Sequence, residues 1–368
     1  MNTKFKITIV AGARPNFMKI APIIHEIKKV ANEGLNLSYR LVHTGQHFDK
    51  NMSDTFFEEL MIPAPDVNLN CSGGSQAVLT SKIMVEFEKE LLTYMPDLVL
   101  VVGDVTSTMA CAITAKKLNI KLAHVEAGIR SYDLTMPEEI NRIITDSITD
   151  YFFTTSEAAG KNLLDISVDK NKIFFVGNTM IDSLLNNLHR LIKPKIWNKL
   201  SLDKHEYIVL TLHRPSNVDE NINLKRIINE IINSSRELKI IFPIHPRTKK
   251  VYDSLNISNP RLHIIHSLSY LKFNFLVKNA KIVITDSGGI TEEATVMGVP
   301  CATLRDTTER PETVEIGTNE LIGADPKMIS PFFEKLFDNN WKKGGVPNLW
   351  DGKTSERIVD ILVKIFLK

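Results

Sequence analysis

Cysteine is scarce: Cys71, Cys111 and Cys301 are the only three in 368 residues, an odd number set far apart. Neither a disulfide framework nor a paired CxxC metal site can be built from them, so a reducing compartment, the cytoplasm, is expected. A surplus of one charge is lacking too. Forty-five Lys and Arg stand against 43 Asp and Glu, a formal +2, without the clustered basic excess that a nucleic-acid face needs. No stretch approaches the ~18 apolar residues of a membrane span, and the opening MNTKFKITIVAGARP has one short strand-like run where a signal peptide would have a longer apolar core. No GxGxxG follows a strand-like run, which leaves a nicotinamide cofactor without a seat. Gly352, Lys353 and Thr354 look like the end of a P-loop, but the glycine required five residues before Gly352 is Pro347. The expectation is an enzyme without a cofactor, whose partner is a small molecule and neither nucleic acid nor membrane.

What the chain does have is a repeated strand–loop–helix rhythm and enough length for two domains of ordinary size, each with its own core. The fold class expected is α/β, with two doubly wound Rossmann-like domains facing a cleft. The first domain is read as residues 1–192. A polar, lysine-rich stretch from Lys193 to Lys204 is read as the hinge and 205–353 as the second domain, with an amphipathic helix over 354–368.

The stretch from Ile282 to Glu312, IVITDSGGITEEATVMGVPCATLRDTTERPE, reads as strand, glycine loop, helix, strand and basic loop. A buried parallel strand followed by Ser287, Gly288 and Gly289 at a helix start presents unpaired amides and the positive end of the helix dipole to an anion. A double glycine after a strand also serves as a plain tight turn. Glu292 and Glu293, one turn into that helix, are better suited to ribose hydroxyls than to a diphosphate. Arg305 and Arg310 come to the same carboxyl edge, where open α/β sheets bind ligands.

The first half places further polar residues at strand ends. Arg14 and Lys19 follow the strand Lys6–Val10, as solvated charges or as anion contacts. His43 and His47 are four apart, but the glycine between them favours a loop over a metal site. Asp104 and Glu126 end neighbouring buried strands. Either one alone reads as a helix cap, but two carboxylates on one edge repel each other unless something uses them. Pro137 opens a helix that carries Glu138, Glu139 and Arg142. In the second half His213 ends a strand as an acid/base candidate, although a lone histidine is more often structural. His245 and Arg247 lie one unit along, and Phe273 is either a core residue or a stacking platform.

Taken together, GARPNFMK, HVEAGIRS…MPEEINR, the LHR that ends in His213-Arg214, YLKFNFLV and DTTERPE resemble the motifs of the non-hydrolysing UDP-N-acetylglucosamine 2-epimerases, a family with a glycosyltransferase-B-like fold. The resemblance runs from GARP to SERIVDIL. It implies UDP-GlcNAc and UDP-ManNAc as substrates, with Ser287, Gly288, Gly289 and Arg310 on the diphosphate, Glu293 on ribose, Phe273 by uracil, and Arg14 and Lys19 facing the UDP-sugar. It implies catalytic roles for Asp104, Glu126, Glu138 and His213, no metal, a homodimer, and a place in cell-surface polysaccharide biosynthesis. The tail helix is implied to pack back on the first domain. The sequence departs from the family pattern at Thr291, where many members have glutamine, and at PSNVD after Arg214. It also departs after His47, where Phe48 and Asp49 stand, and near Ser75, where an arginine is missing; activation by a second UDP-sugar is therefore not expected. A UDP-2,3-diacetamido-glucuronate 2-epimerase, a hydrolysing epimerase and a glycosyltransferase of the same architecture are the alternatives.

Overall fold

The structure, a computed structural model, describes residues 4–46 and 50–367, without the side chains at 50–54 and 247; His47, Phe48, Asp49 and the side chain of Arg247 therefore lie outside the described residues. The chain divides into two compact units. The first comprises Met1–Asn186 together with Asn348–Lys368, and the second is Asn187–Pro347.

The first unit is a parallel sheet of seven strands: β1 (Phe5–Ala11), β2 (Leu37–His43), β3 (Val67–Asn68), β4 (Leu98–Val102), β5 (Lys121–Val125), β6 (Tyr151–Thr154) and β7 (Ile173–Phe175). Their spatial order is β3-β2-β1-β4-β5-β6-β7. β4 is LVLVV and fully buried, because helices cover both faces of such a sheet and every side chain must be apolar. The second unit repeats the plan with β8 (Tyr207–Thr211), β9 (Lys239–Pro243), β10 (Leu262–Ile265), β11 (Ile282–Thr285), β12 (Cys301–Thr303) and β13 (Asn319–Leu321), in the order β10-β9-β8-β11-β12-β13. Both units are doubly wound, as expected. In each, the strand order reverses beside the first strand, between β1 and β4 and between β8 and β11, and the crevice at such a reversal is where ligands bind in these sheets.

The lysine-rich stretch 193–204 packs as part of the second unit. Trp197, on the short helix Lys195–Lys199, sets its ring edge-on against Tyr207 and Phe275 at centroid distances of 5.7 and 5.3 Å. The tail returns to the first unit. Trp350 donates to the Thr155 carbonyl at 3.0 Å, and the helix Thr354–Phe366 is anchored at its start by Asp182, which accepts from Thr354 N at 3.0 Å and from Ser355 N and Oγ at 2.7 and 2.8 Å. At its end Phe366 stacks on Phe5 at 4.4 Å.

Candidate functional site

In the first unit the carboxyl ends of β1, β4 and β5 carry the polar residues. After β1 the chain enters the helix Arg14–Asn32, and Asn16 fills the turn: its Oδ1 accepts from Gly12 N and Ala13 N at 3.0 and 2.9 Å, while its Nδ2 donates to the Val102 carbonyl. Those two amides are thus satisfied from within the chain. One turn on, Lys19 is buried and its Nζ meets Glu126 Oε2 at 2.5 Å. A side chain at Gly103, where φ is +66°, would sit 3.0 Å from that Nζ, so a glycine is needed for the lysine to come so close. Glu126 itself has φ +70°, a left-handed conformation that costs a non-glycine residue of order 1–3 kcal/mol and is held by its surroundings.

Asp104 is fixed from the next helix. Arg142 directs Nη2 and Nε to Asp104 Oδ2 at 2.7 and 3.1 Å and Nη1 to Glu139 Oε2 at 2.6 Å, and Asn141 Nδ2 donates to the Asp104 carbonyl. Glu139 is buried and also accepts from Ser131 and from Tyr132 N, which makes it a structural anchor. Glu138 is half-buried on the helix Pro137–Ile148, outside these pairings. Arg14 lies 4.6 Å over the Phe56 ring. Gln46 Oε1 takes Ser107 N and Oγ at 3.0 and 2.7 Å and so caps the helix that follows Asp104.

In the second unit the centre is Asp286, fully buried at the end of β11. It accepts from the backbone amides of His213 and Arg214 and from Asn217 Nδ2, and its Oδ1 lies 2.9 Å from His213 Nδ1. Burial alone would raise the Asp286 carboxyl. The hydrogen bond and charge of His213, with the Arg214 amide and Asn217, outweigh it and hold the group below the ordinary carboxylate range. This pairing aims the exposed imidazole of His213 and leaves Nε2 as its outward atom. Sequence reasoning missed Asp286, although its place one residue before Ser287 at a strand's carboxyl end was a signal.

The helix Gly288–Val296 follows, with Ser287 as its N-cap residue and Ser287, Gly288 and Gly289 all partly exposed. Arg310 Nε is paired with the buried Glu292 Oε1. Arg305 forms a two-pronged pair with Glu309 at 2.7 and 2.9 Å, which Arg214 also approaches at 3.6 Å. Phe273 is partly buried against the cluster containing Leu276 and Val283. Glu293 is buried, accepts from Asn274 Nδ2 at 3.3 Å and is hydrogen-bonded by Tyr270. Burial pushes its carboxyl up to about 7 against the pull of Tyr270 and Asn274. Glu312 is likewise pushed up to about 7 by burial, with the Arg310 charge and its own backbone amide opposing.

A carboxyl whose folded pKa lies above its unfolded one binds its proton more tightly in the folded state. Its effect is therefore to lower stability as pH rises from about 4.5 to about 7, with no further change above that. Glu312→Gln is expected to be more stable than the parent at pH 8, by up to about 3 kcal/mol, and to show no gain at pH 4.5. Urea denaturation at both pH values checks this. An equal difference at both would show that Glu312 does not titrate in that window.

Among the described residues no group of three or more His, Cys, Asp and Glu is arranged to hold a metal, and no helix is long and apolar enough to cross a membrane. A profile described as UDP-N-acetylglucosamine 2-epimerase matches residues 28–363. The chain belongs to the UDP-N-acetylglucosamine 2-epimerase family. The curated UDP-N-acetylglucosamine 2-epimerase of Methanocaldococcus jannaschii is 44% identical over 370 residues, 97% of this chain and 98% of that protein. The crystal structure of the Methanocaldococcus jannaschii UDP-GlcNAc 2-epimerase in complex with UDP-GlcNAc and UDP is 43% identical, with a TM-score of 0.88 over 98% of this chain and 100% of the other. A UDP-2,3-diacetamido-2,3-dideoxy-D-glucuronate 2-epimerase of Pseudomonas aeruginosa is 38% identical over 98% of this chain and all of its own length. The fold class is thus that of the glycosyltransferase-B-like epimerases, in line with the motifs from GARP to SERIVDIL.

Proposed function

We propose that the chain interconverts UDP-GlcNAc and UDP-ManNAc by inverting C2, without hydrolysis and without a cofactor. The observation that carries the reading is the pair Asp104 and Glu126, at the ends of neighbouring strands and each locked by its own cation, Arg142 and Lys19. A C2 proton beside an acetamido group is a poor acid. With no oxidant to act at C3, the economical route is departure of UDP from C1 as C2 loses its proton, which gives 2-acetamidoglucal and UDP. UDP then adds back, with protonation from the other face. Two faces require two proton-handling groups, which Asp104, Glu126 and Glu138 supply. His213, oriented by Asp286, is assigned to the leaving phosphate. Ser287, Gly288, Gly289 and Arg310 are assigned to the diphosphate, Glu293 to ribose, Phe273 to uracil, and Arg14 and Lys19 to the UDP-sugar. The protein is further proposed to work in the cytoplasm and to supply cell-surface polysaccharide synthesis.

The test is NMR of the purified protein with UDP-GlcNAc alone in D2O. The expected result is UDP-ManNAc, with deuterium at C2 of both epimers. Conversion without deuterium would overturn the elimination route, and free ManNAc would show a hydrolysing enzyme. The 38% identical relative favours one second reading, the 2,3-diacetamido-glucuronate substrate; turnover of that sugar nucleotide with UDP-GlcNAc inert would establish it.

We also propose a homodimer. Val78, Val85 and Leu92 stand exposed at seven-residue intervals on the helix Gln76–Tyr94, and Ile140 and Ile143 are exposed on Pro137–Ile148, with the helix Thr106–Lys117 packed between the two. Exposed apolar surface of this kind marks an interface. Light scattering should give twice the chain mass, and Val85→Glu with Leu92→Glu should give the monomer. A monomeric parent protein removes the proposal.

A further inference from the structure

Behind Asp104 and Glu126 lies a buried cluster to which the reaction above assigns no part. His124, the fourth residue of β5, is fully buried, with Nδ1 2.7 Å from Asp146 Oδ1 and Nε2 2.8 Å from the Gly103 carbonyl oxygen. A carbonyl oxygen and an ionised carboxylate only accept hydrogen bonds. A neutral imidazole has one N–H, so its other nitrogen would set a lone pair against one of these oxygens, whereas both contacts are satisfied when both nitrogens carry protons.

The surroundings agree. Asp146 Oδ2 lies 2.6 Å from Arg130 Nη1 and accepts from Gly128 N at 3.1 Å. Burial alone would raise the Asp146 carboxyl, but the hydrogen bond and charge of His124, with those of Arg130, hold it below the ordinary range. Around this point Lys19 pairs with Glu126, Arg142 with Asp104 and Glu139, and Arg130 with Asp146.

The cluster also joins the three segments that the proposed chemistry needs. Gly103 immediately precedes Asp104, and its amide donates to the Val125 carbonyl next to Glu126. Gly128 and Arg130 belong to the loop that follows Glu126, while Asp146 is on the helix Pro137–Ile148, which carries Glu138 in its first turn. We propose that His124 is a doubly protonated positioning residue which, together with Asp146, sets the mutual spacing of Asp104, Glu126 and Glu138. The role in turnover rests on the epimerase reading; the charge state does not.

The experiment has two arms. In the intact protein labelled with 15N-histidine, His124, identified by the signals that vanish in His124→Asn, is expected to show two ring N–H resonances at neutral pH. Asp146→Asn is expected to lose the second of them. It should bind UDP as the parent does, keep KM within about threefold, and lower kcat about 10- to 100-fold, the scale on which removing the partner that orients a working side chain is felt. Its release of free UDP and 2-acetamidoglucal per turnover should rise, because misplaced carboxylates return the proton late, whereas a purely structural role would shift thermal stability alone. A single ring N–H on His124 in the parent protein overturns the proposal, and that result does not depend on any variant folding. A folded Asp146→Asn with parental kcat overturns the positioning role. If the parent protein converts no UDP-sugar, the reaction assignment falls while the resonance count still decides the charge.

Discussion

Asp104→Asn is expected to convert UDP-GlcNAc about 10²- to 10⁴-fold more slowly than the parent protein, the usual cost of a lost general acid or base, while binding UDP with unchanged affinity. The substitution keeps the shape of the side chain. Its local environment should survive, because Arg142 keeps its 2.6 Å pairing with Glu139 and Asn141 still donates to the residue-104 carbonyl. Glu126→Gln is a less clean probe: it removes half of a buried ion pair with Lys19, a change that costs about 3–5 kcal/mol of stability in addition to any chemistry. The measurement is kcat by NMR of both epimers, with UDP affinity by calorimetry. An Asp104→Asn protein with full activity would remove Asp104 from the mechanism.

Arg310→Ala should have two separable effects. If Arg310 meets the diphosphate, it loses a charge-assisted contact of roughly 1.5–3 kcal/mol, so UDP should bind about 10- to 150-fold more weakly. The change also removes the cation paired with the fully buried Glu292, which should lower the stability of the second unit by about 3–5 kcal/mol. Glu292→Gln separates the two, because it perturbs the same pair while keeping the guanidinium. Lysine at position 310 should restore charge but not the planar fork, and should recover little affinity. Denaturation gives the stability change, and calorimetry under conditions where the variants are folded gives the affinity. Parental UDP affinity in folded Arg310→Ala would place the diphosphate elsewhere.

The strand ends were legible because a parallel sheet covered on both faces writes each strand as an unbroken apolar run; LVLVV before Gly103 and IVIT before Asp286 announce which polar residue stands at the edge. The residues that hold those positions in place were not legible. Lys19 and Glu126 are 107 positions apart, and Arg142 and Asp104 are 38 apart; no local pattern encodes such pairings, which arise only when the sheet order brings the segments together. Asp286 reads in the sequence as one more polar residue before a glycine loop, and its task emerges only when β8 and β11 lie side by side and His213 meets it. The stretch 193–204 reads as a linker by its lysines, yet Trp197 and Leu202 are buried in the core of the second unit, with Ile196 and Leu200 packed against it. Asn16 also hides its role, since nothing local shows that its amide turns back to plug the β1 turn.

The second unit, Asn187–Pro347, is in effect an insertion between the body of the first unit and its own last helix. On the ribosome, at ~5–20 residues per second, this inserted stretch takes roughly 8–30 s to make. Throughout that interval Asp182 waits with no helix start to receive, and the face of β1 that Phe366 will cover stays open. The second unit is contiguous and can close first. The first unit is completed last, so if the second unit holds UDP as proposed above, the growing chain acquires that grip before the acidic residues of the first unit are locked in place.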